Sequence, residues 1–178
     1  IKDGLPNSNL GKIGLAISPF DSTILYAAVE TDRRNGAVYK TTNSGGSWLK
    51  MSDTVSGATG PHYYQELVAS PHVFDKIYLM DTKVQVSENG GKDFYIMNES
   101  DKHVDNHSLT FKMSDPNYLL IGTDGGVYES FDDTNSWKFV ANLPLTQFYK
   151  LAVDDAYPFY NIFGGTQDNN TQGGPSRT

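Results

Sequence analysis

A short pattern occurs three times in this chain, and no other feature restricts its fold so strongly. The copies are Thr41-Thr42-Asn43-Ser44-Gly45-Gly46-Ser47-Trp48, Ser87-Glu88-Asn89-Gly90-Gly91-Lys92-Asp93-Phe94 and Ser130-Phe131-Asp132-Asp133-Thr134-Asn135-Ser136-Trp137. Each has a hydroxyl residue, Asn or Asp two positions on, Gly (Thr in the third) two further, and an aromatic three beyond that. A β-rich triplet precedes each box: Val38-Tyr39-Lys40, Val84-Gln85-Val86 and Val127-Tyr128-Glu129. Self-similarity at a fixed period means one supersecondary unit repeated side by side.

A second landmark recurs in phase. Leu15-Ala16-Ile17-Ser18-Pro19, Leu67-Val68-Ala69-Ser70-Pro71, Leu109-Thr110-Phe111-Lys112-Met113 and Leu151-Ala152-Val153-Asp154-Asp155 each open a unit. A short apolar run follows each: Ile24 to Val29, Ile77 to Met80, Tyr118 to Ile121 and Phe159 to Phe163. The runs are β-branched or aromatic and bounded by Gly, Pro, Asp and Asn, so they read as strands. Helical periodicity never lasts beyond a turn or two. Four strands in roughly 45 residues make a β-propeller blade. The expected fold is all-β: a propeller of four-stranded antiparallel blades, present in part. A blade tail would span 1–10, full blades about 11–53, 63–100 and 105–144, and a partial blade 147–178. The tail is read from Asp3-Gly4-Leu5-Pro6, which matches the end of the third unit at Asn142-Leu143-Pro144. The chain starts at Ile1 rather than Met, so it reads as processed or as a fragment, with the remaining blades of a longer parent as partners. The alternative is closure as four blades, with the N-terminal segment completing the last.

The boxes have a mechanical reading. Asn or Asp accepts backbone N–H groups of its own turn, Gly supplies a positive φ, and the aromatic packs between blades. Thr41, Asn43, Gly45 and Trp48 are therefore structural, as are Ser87, Asn89, Gly91 and Phe94, and Ser130, Asp132 and Trp137. The pattern resembles the Asp-box (BNR) repeat, Ser-x-Asp-x-Gly-x-x-Trp, of sialidases, glycoside hydrolase family 74 xyloglucanases and sortilin-type propellers. His103-Val104-Asp105-Asn106-His107-Ser108-Leu109, Gly122-Thr123-Asp124-Gly125-Gly126-Val127-Tyr128-Glu129-Ser130 and Gly164-Gly165-Thr166-Gln167-Asp168-Asn169 look similar to runs in bacterial sortilin-like propellers. That resemblance implies a large exported bacterial protein, extracellular or periplasmic, that binds a peptide or a glycan.

Composition narrows the function classes. The net charge is −7, and none of the 14 Lys and Arg forms a run longer than two. Nucleic-acid binding needs clustered cations, so it is excluded as a partner class. No apolar stretch reaches membrane-spanning length. Zero Cys excludes disulfides, thiolate zinc sites and Cys nucleophiles. Aromatics at 12% argue against disorder. No cofactor is implied.

In a propeller, the segment entering each innermost strand and the loop between the second and third strands share one face. Aligning Leu15, Leu67, Leu109 and Leu151 puts Gln65, His107 and Tyr149 two residues earlier, and Tyr63, Asp105 and Gln147 four earlier. These positions turn polar or aromatic, as the mouth of a funnel should. His103, Asp105 and His107, at period two, could hold a divalent metal. Hydrogen bonding to the neighbouring blade is the preferred reading, so no metal is expected. Asp105, Asp124 and Asp168 are the candidate carboxylates for glycoside hydrolysis, with Asp32 on the same face. Family 74 enzymes carry a catalytic Asp in Asp-x-Gly-Gly, whereas Asp124-Gly125-Gly126 lacks the intervening residue. Tyr63, Tyr64 and Tyr149 are candidate stacking platforms, and Gln65, His107, Gln167 and Asn169 candidate polar contacts to a sugar. Sialidase chemistry needs three converging Arg; Arg33, Arg34 and Arg177 do not suit it. Two functions result: a secreted glycosyl-hydrolase-like propeller that binds or acts on polysaccharide or oligosaccharide, or a non-catalytic propeller for peptide ligands.

Overall fold

The computed structural model describes residues 3–32, 35–53 and 66–177. Among these residues, fifteen strands form four antiparallel sheets in chain order. The first sheet is β1 (Ile13–Ile17), β2 (Leu25–Asp32), β3 (Asn35–Thr41) and β4 (Leu49–Ser52). The second is β5 (Leu67–Ala69), β6 (Ile77–Leu79), β7 (Gln85–Ser87) and β8 (Tyr95–Ile96). The third is β9 (Asn106–Lys112), β10 (Asp115–Thr123), β11 (Gly126–Ser130) and β12 (Lys138–Phe139). The fourth has three strands, β13 (Phe148–Val153), β14 (Asn161–Thr166) and β15 (Thr171–Pro175). The fold is a partial β-propeller, as the repeats predict.

The boxes do what their residue types require. Asn43 Oδ1 accepts the Ser47 N–H at 2.8 Å, Asn89 Oδ1 that of Asp93 at 3.0 Å, and Asp132 Oδ1 that of Ser136 at 2.9 Å. The hydroxyls of Thr41, Ser87 and Ser130 accept the N–H of Gly45, Gly91 and Thr134. Gly45 and Gly91 take φ of 83° and 94° there. The first two boxes also donate an N–H to the turn between their blade's first two strands, Ser44 to Thr23 and Gly90 to Asp75, and the third to the start of β10, Asp133 to Asn117. The boxes thus close one end of every complete sheet.

Thr134 occupies the glycine position of the third box at φ 72°. A β-branched residue there is strained by about 1–2 kcal/mol. Thr134→Gly should stabilise the chain by about 0.5–1 kcal/mol, after glycine's added backbone entropy is offset. A urea midpoint moving the other way would contradict this account of the box.

Alternation along the strands builds a core at each of the first two blade junctions. Ala16, Tyr26, Ala28 and Val38 of the first sheet meet Leu67, Ile77 and Leu79 of the second, with Phe94 alongside. Tyr78, Met80, Val84 and Val86 meet Leu109, Leu119, Ile121 and Trp137 of the third. The opposite face of the first sheet (Ala27, Val29, Ala37, Tyr39) is covered by Leu5, Leu10 and Trp48, and Asp3 O accepts the Trp48 N–H at 2.9 Å. The N-terminal segment therefore packs on the first sheet. Among the described residues it adds no strand to the fourth, so four-bladed closure of that kind does not occur.

Polar ties reinforce the junctions. Asp75 accepts from the Tyr26 hydroxyl and from Lys40 Nζ across the first, and Lys76 Nζ reaches Asp133 at 3.2 Å across the second. Burial, and then the bond to Asp75, push the Tyr26 phenol far above its ordinary value; burial does the same at Tyr78. The native state therefore keeps these protons after the unfolded chain has released them. Their contribution is complete below pH 10, the unfolded value, and is lost as pH rises toward the folded one. Denaturant midpoints should fall between pH 9 and pH 11, and less steeply in Tyr78→Phe. Equal slopes would disprove the role of Tyr78.

The fourth sheet is different. Tyr149, Leu151 and Val153 are 70%, 64% and 64% exposed, whereas Leu67 and Leu109, which align with Leu151, are buried; Leu15 on β1 is exposed as Leu151 is. A cleft of about 800 Å³ opens beside the hairpins of the third and fourth sheets, lined by Phe139, Leu143, Leu145, Gln147, Gln172 and the loops after β10 and β14.

Candidate functional site

At the end opposite the boxes, three of the sheets tie the entry to their innermost strand to the end of the second strand or to the hairpin that follows it. Gly11 N–H donates to Glu30 O at 2.8 Å, Asp124 N–H to Asp105 O at 3.1 Å, and Gln167 N–H to Gln147 O at 2.9 Å. The second and third ties bring the candidate residues together. His107 Nε2 lies 2.8 Å from Asp124 Oδ1. Gln167 Nε2 donates to Asp124 Oδ2 at 3.2 Å. Asn169 Nδ2 donates to Gln167 O at 3.2 Å and approaches Gly125 O at 3.5 Å. Both oxygens of Asp124 are thus engaged, and the loop of the fourth sheet is pinned to the third.

His103, Asp105 and Asp168 form a second cluster beside it. One ligating atom from each lies within 4.8 Å of the others. Nδ1 of His103 is 2.7 Å from Val104 O. Under the ring sits Gly125, where an added Cβ would come within 2.5 Å of His103 Cγ. Glycine is thus what lets the hairpin backbone approach the imidazole. Asp105 and Asp168 take φ of 60° and 43°, a conformation Asp tolerates better than most residues.

The period-two grouping of His103, Asp105 and His107 is not what the chain adopts. It requires an extended segment, and the positive φ at Asp105 breaks the alternation. His107 turns to Asp124, and Asp168 joins His103 and Asp105 from the fourth sheet. Tyr149 stands exposed beside Thr166, Gln167 and Asp168 around a recess of about 470 Å³. Tyr63, Tyr64 and Gln65 lie outside the described residues, as do Arg33 and Arg34 and the side chain of Asp32.

Sequence reasoning missed the support behind these residues. Lys102 is buried, and its Nζ donates to Glu99 Oε2, to Asn106 Oδ1 at 2.5 Å and to His103 O at 3.1 Å. Asn106 in turn donates to Thr82 O at 2.9 Å and Asp81 O at 3.2 Å. Burial lowers the Lys102 pKa, with Glu99 and Asp105 opposing that shift. The ammonium also lies 5.7 Å from the centre of the Trp137 ring. The Glu99–Lys102 spacing of three was the only local trace of this network.

No protein-family model and no curated protein sequence matches the chain. Solved structures do share its fold. The glycoside hydrolase family 74 (GH74) enzyme of Niastella koreensis superposes with a TM-score of 0.61 at 14% identity, over 90% of this chain and 27% of that one. An ancestral GH74 enzyme gives 0.53 at 15%, over 93% and 24%. YCF48 from Cyanidioschyzon merolae gives 0.54 at 13%, over 99% and 60%. The chain therefore spans about a quarter of each GH74 enzyme's chain and 60% of that of YCF48. At such identities the likeness is one of fold, and by fold the chain is part of a β-propeller resembling those of GH74 enzymes.

Proposed function

We propose that this chain is part of an exported Asp-box propeller that binds or acts on polysaccharide through the end of its third and fourth sheets. One observation carries the reading. Three carboxylates, two imidazoles and two amides meet there beside the exposed Tyr149 ring. Convergent donors and acceptors next to an aromatic plane suit sugar hydroxyls and the apolar face of a pyranose. The Asp105 and Asp168 oxygens, within 4.8 Å, are also near the roughly 5–5.5 Å carboxyl separation of retaining glycosidases. The three box turns support the Asp-box assignment through their bonding. An extracellular or periplasmic location belongs to this reading.

The test is binding and reducing-sugar release on a panel of β-glucans and xyloglucan, by the longest available form of the protein. Gln167→Ala and Tyr149→Ala should weaken glycan binding at least about tenfold; a lost hydrogen bond or stacking plane is worth about 1–2 kcal/mol. Release that vanishes in Asp105→Asn or Asp168→Asn would add catalysis. Folded protein that retains no glycan would reject the reading. A peptide ligand is then the second reading, favoured by the apolar lining of the cleft at Phe139, Leu143 and Leu145.

A further inference from the structure

We infer that His103, Asp105 and Asp168 form a binding site for a divalent first-row metal ion such as Zn²⁺ or Mn²⁺. Among the described residues no other three such side chains bring ligating atoms within 4.8 Å of one another. The donor set is one nitrogen and two carboxylate oxygens. That mixture suits zinc or manganese, whereas calcium and magnesium prefer oxygen alone.

The imidazole is prepared for the task. With Nδ1–H donating to Val104 O, the tautomer is set and Nε2 carries the lone pair. Histidine ligands of metals are usually oriented by such a bond on the other ring nitrogen. Glycine at 125 leaves room for the ring, since a Cβ there would come within 2.5 Å of His103 Cγ. Behind the ring, the buried Lys102–Glu99–Asn106 network anchors the backbone that carries His103 and Asp105.

The spacing fits a metal with a modest adjustment. Bonds of about 2.0–2.2 Å place tetrahedral ligand atoms about 3.3 Å apart. The present atoms need to close by no more than roughly 1.5 Å. Asp168 lies on an exposed hairpin tip, where rotation of its side chain can supply that closure. Three protein ligands leave at least one position for water or another oxygen donor. The site shares Asp105 and Asp168 with the polysaccharide reading, and a metal held there excludes the two carboxylates from acting as an acid–nucleophile pair; metal binding itself is read without any glycan.

The experiment is calorimetric titration of chelator-stripped chain with Zn²⁺ alone, followed by Mn²⁺. One equivalent should bind saturably, and Asp168→Asn and His103→Ala should each weaken it at least about tenfold. His72→Ala removes a distant histidine that bonds Lys112 O, and should leave the titration unchanged. If His103→Ala does not fold, Asp168→Asn decides, since it alters only an exposed side chain. Absence of a saturable one-equivalent isotherm, or one insensitive to both ligand variants, would overturn the site.

Discussion

Replacing Glu99 with alanine should destabilise the chain by about 3–5 kcal/mol, the usual loss when one member of a buried ion pair is removed. The Lys102 side chain is 0% exposed and that of Glu99 8%. Glu99 also accepts the Val84 N–H at 2.9 Å, so the variant strands a backbone donor as well as an ammonium. Glu99→Gln, which keeps an acceptor, should lose less. The pH dependence has a definite sign. Burial already depresses the folded-state pKa of Lys102 below 10.5, and Glu99 opposes that shift. Without Glu99 the folded lysine releases its proton more readily, while the unfolded one keeps it up to pH 10.5. The unfolded state then binds more protons, so the deficit relative to wild type should shrink as pH rises toward that value. Urea midpoints at pH 7 and pH 9.5 check both statements; a deficit under 1 kcal/mol, or one that grows with pH, would count against the network.

Trp137→Ala should cost about 3–5 kcal/mol, as large-to-small changes at buried aromatics do. Trp137 is 7% exposed in the core between the second and third sheets. Its Nε1–H donates to Asn98 O at 2.9 Å, so the loss also orphans a carbonyl of the connecting segment. Trp48, at the same box position, is only half-buried against the N-terminal segment. Trp48→Ala should therefore lose clearly less, and equal losses would refute the junction argument. The effects of Trp137→Ala and Glu99→Ala should not add, because the Lys102 ammonium lies over the Trp137 ring. Through that contact, a turn residue at one end of the blade supports the polar residues at the other.

What the sequence made legible was local. A hydroxyl, an Asn or Asp and a glycine at fixed offsets determine a turn without reference to the rest of the chain. All three boxes could accordingly be read with their bonding. The strands followed from short apolar runs, and the grouping of Asp105, Asp124 and Asp168 at one end followed from the repeat phase. What escaped was long-range or depended on one torsion. Nothing near Asp105 in sequence announces its positive φ, which separates His107 from His103. Asp168 reaches His103 only because the fourth sheet's hairpin is tied to the third's. Nothing in the sequence marks Lys102 as buried, because burial of a charge is decided by the partners that fold around it.

The fourth sheet has no apolar seam to hold it, so its attachment depends on a few polar bonds at one tip. A body fastened at one corner acts as a lever. A rotation about that corner moves the far end of the sheet most and Asp168, between the tied Gln167 and Asn169, least. Whatever bridges Asp105 and Asp168 also clamps the sheet, and by thermodynamic linkage whatever clamps the sheet tightens the bridge. Occupancy at the tip and closure of the cleft are then one equilibrium, readable from either end.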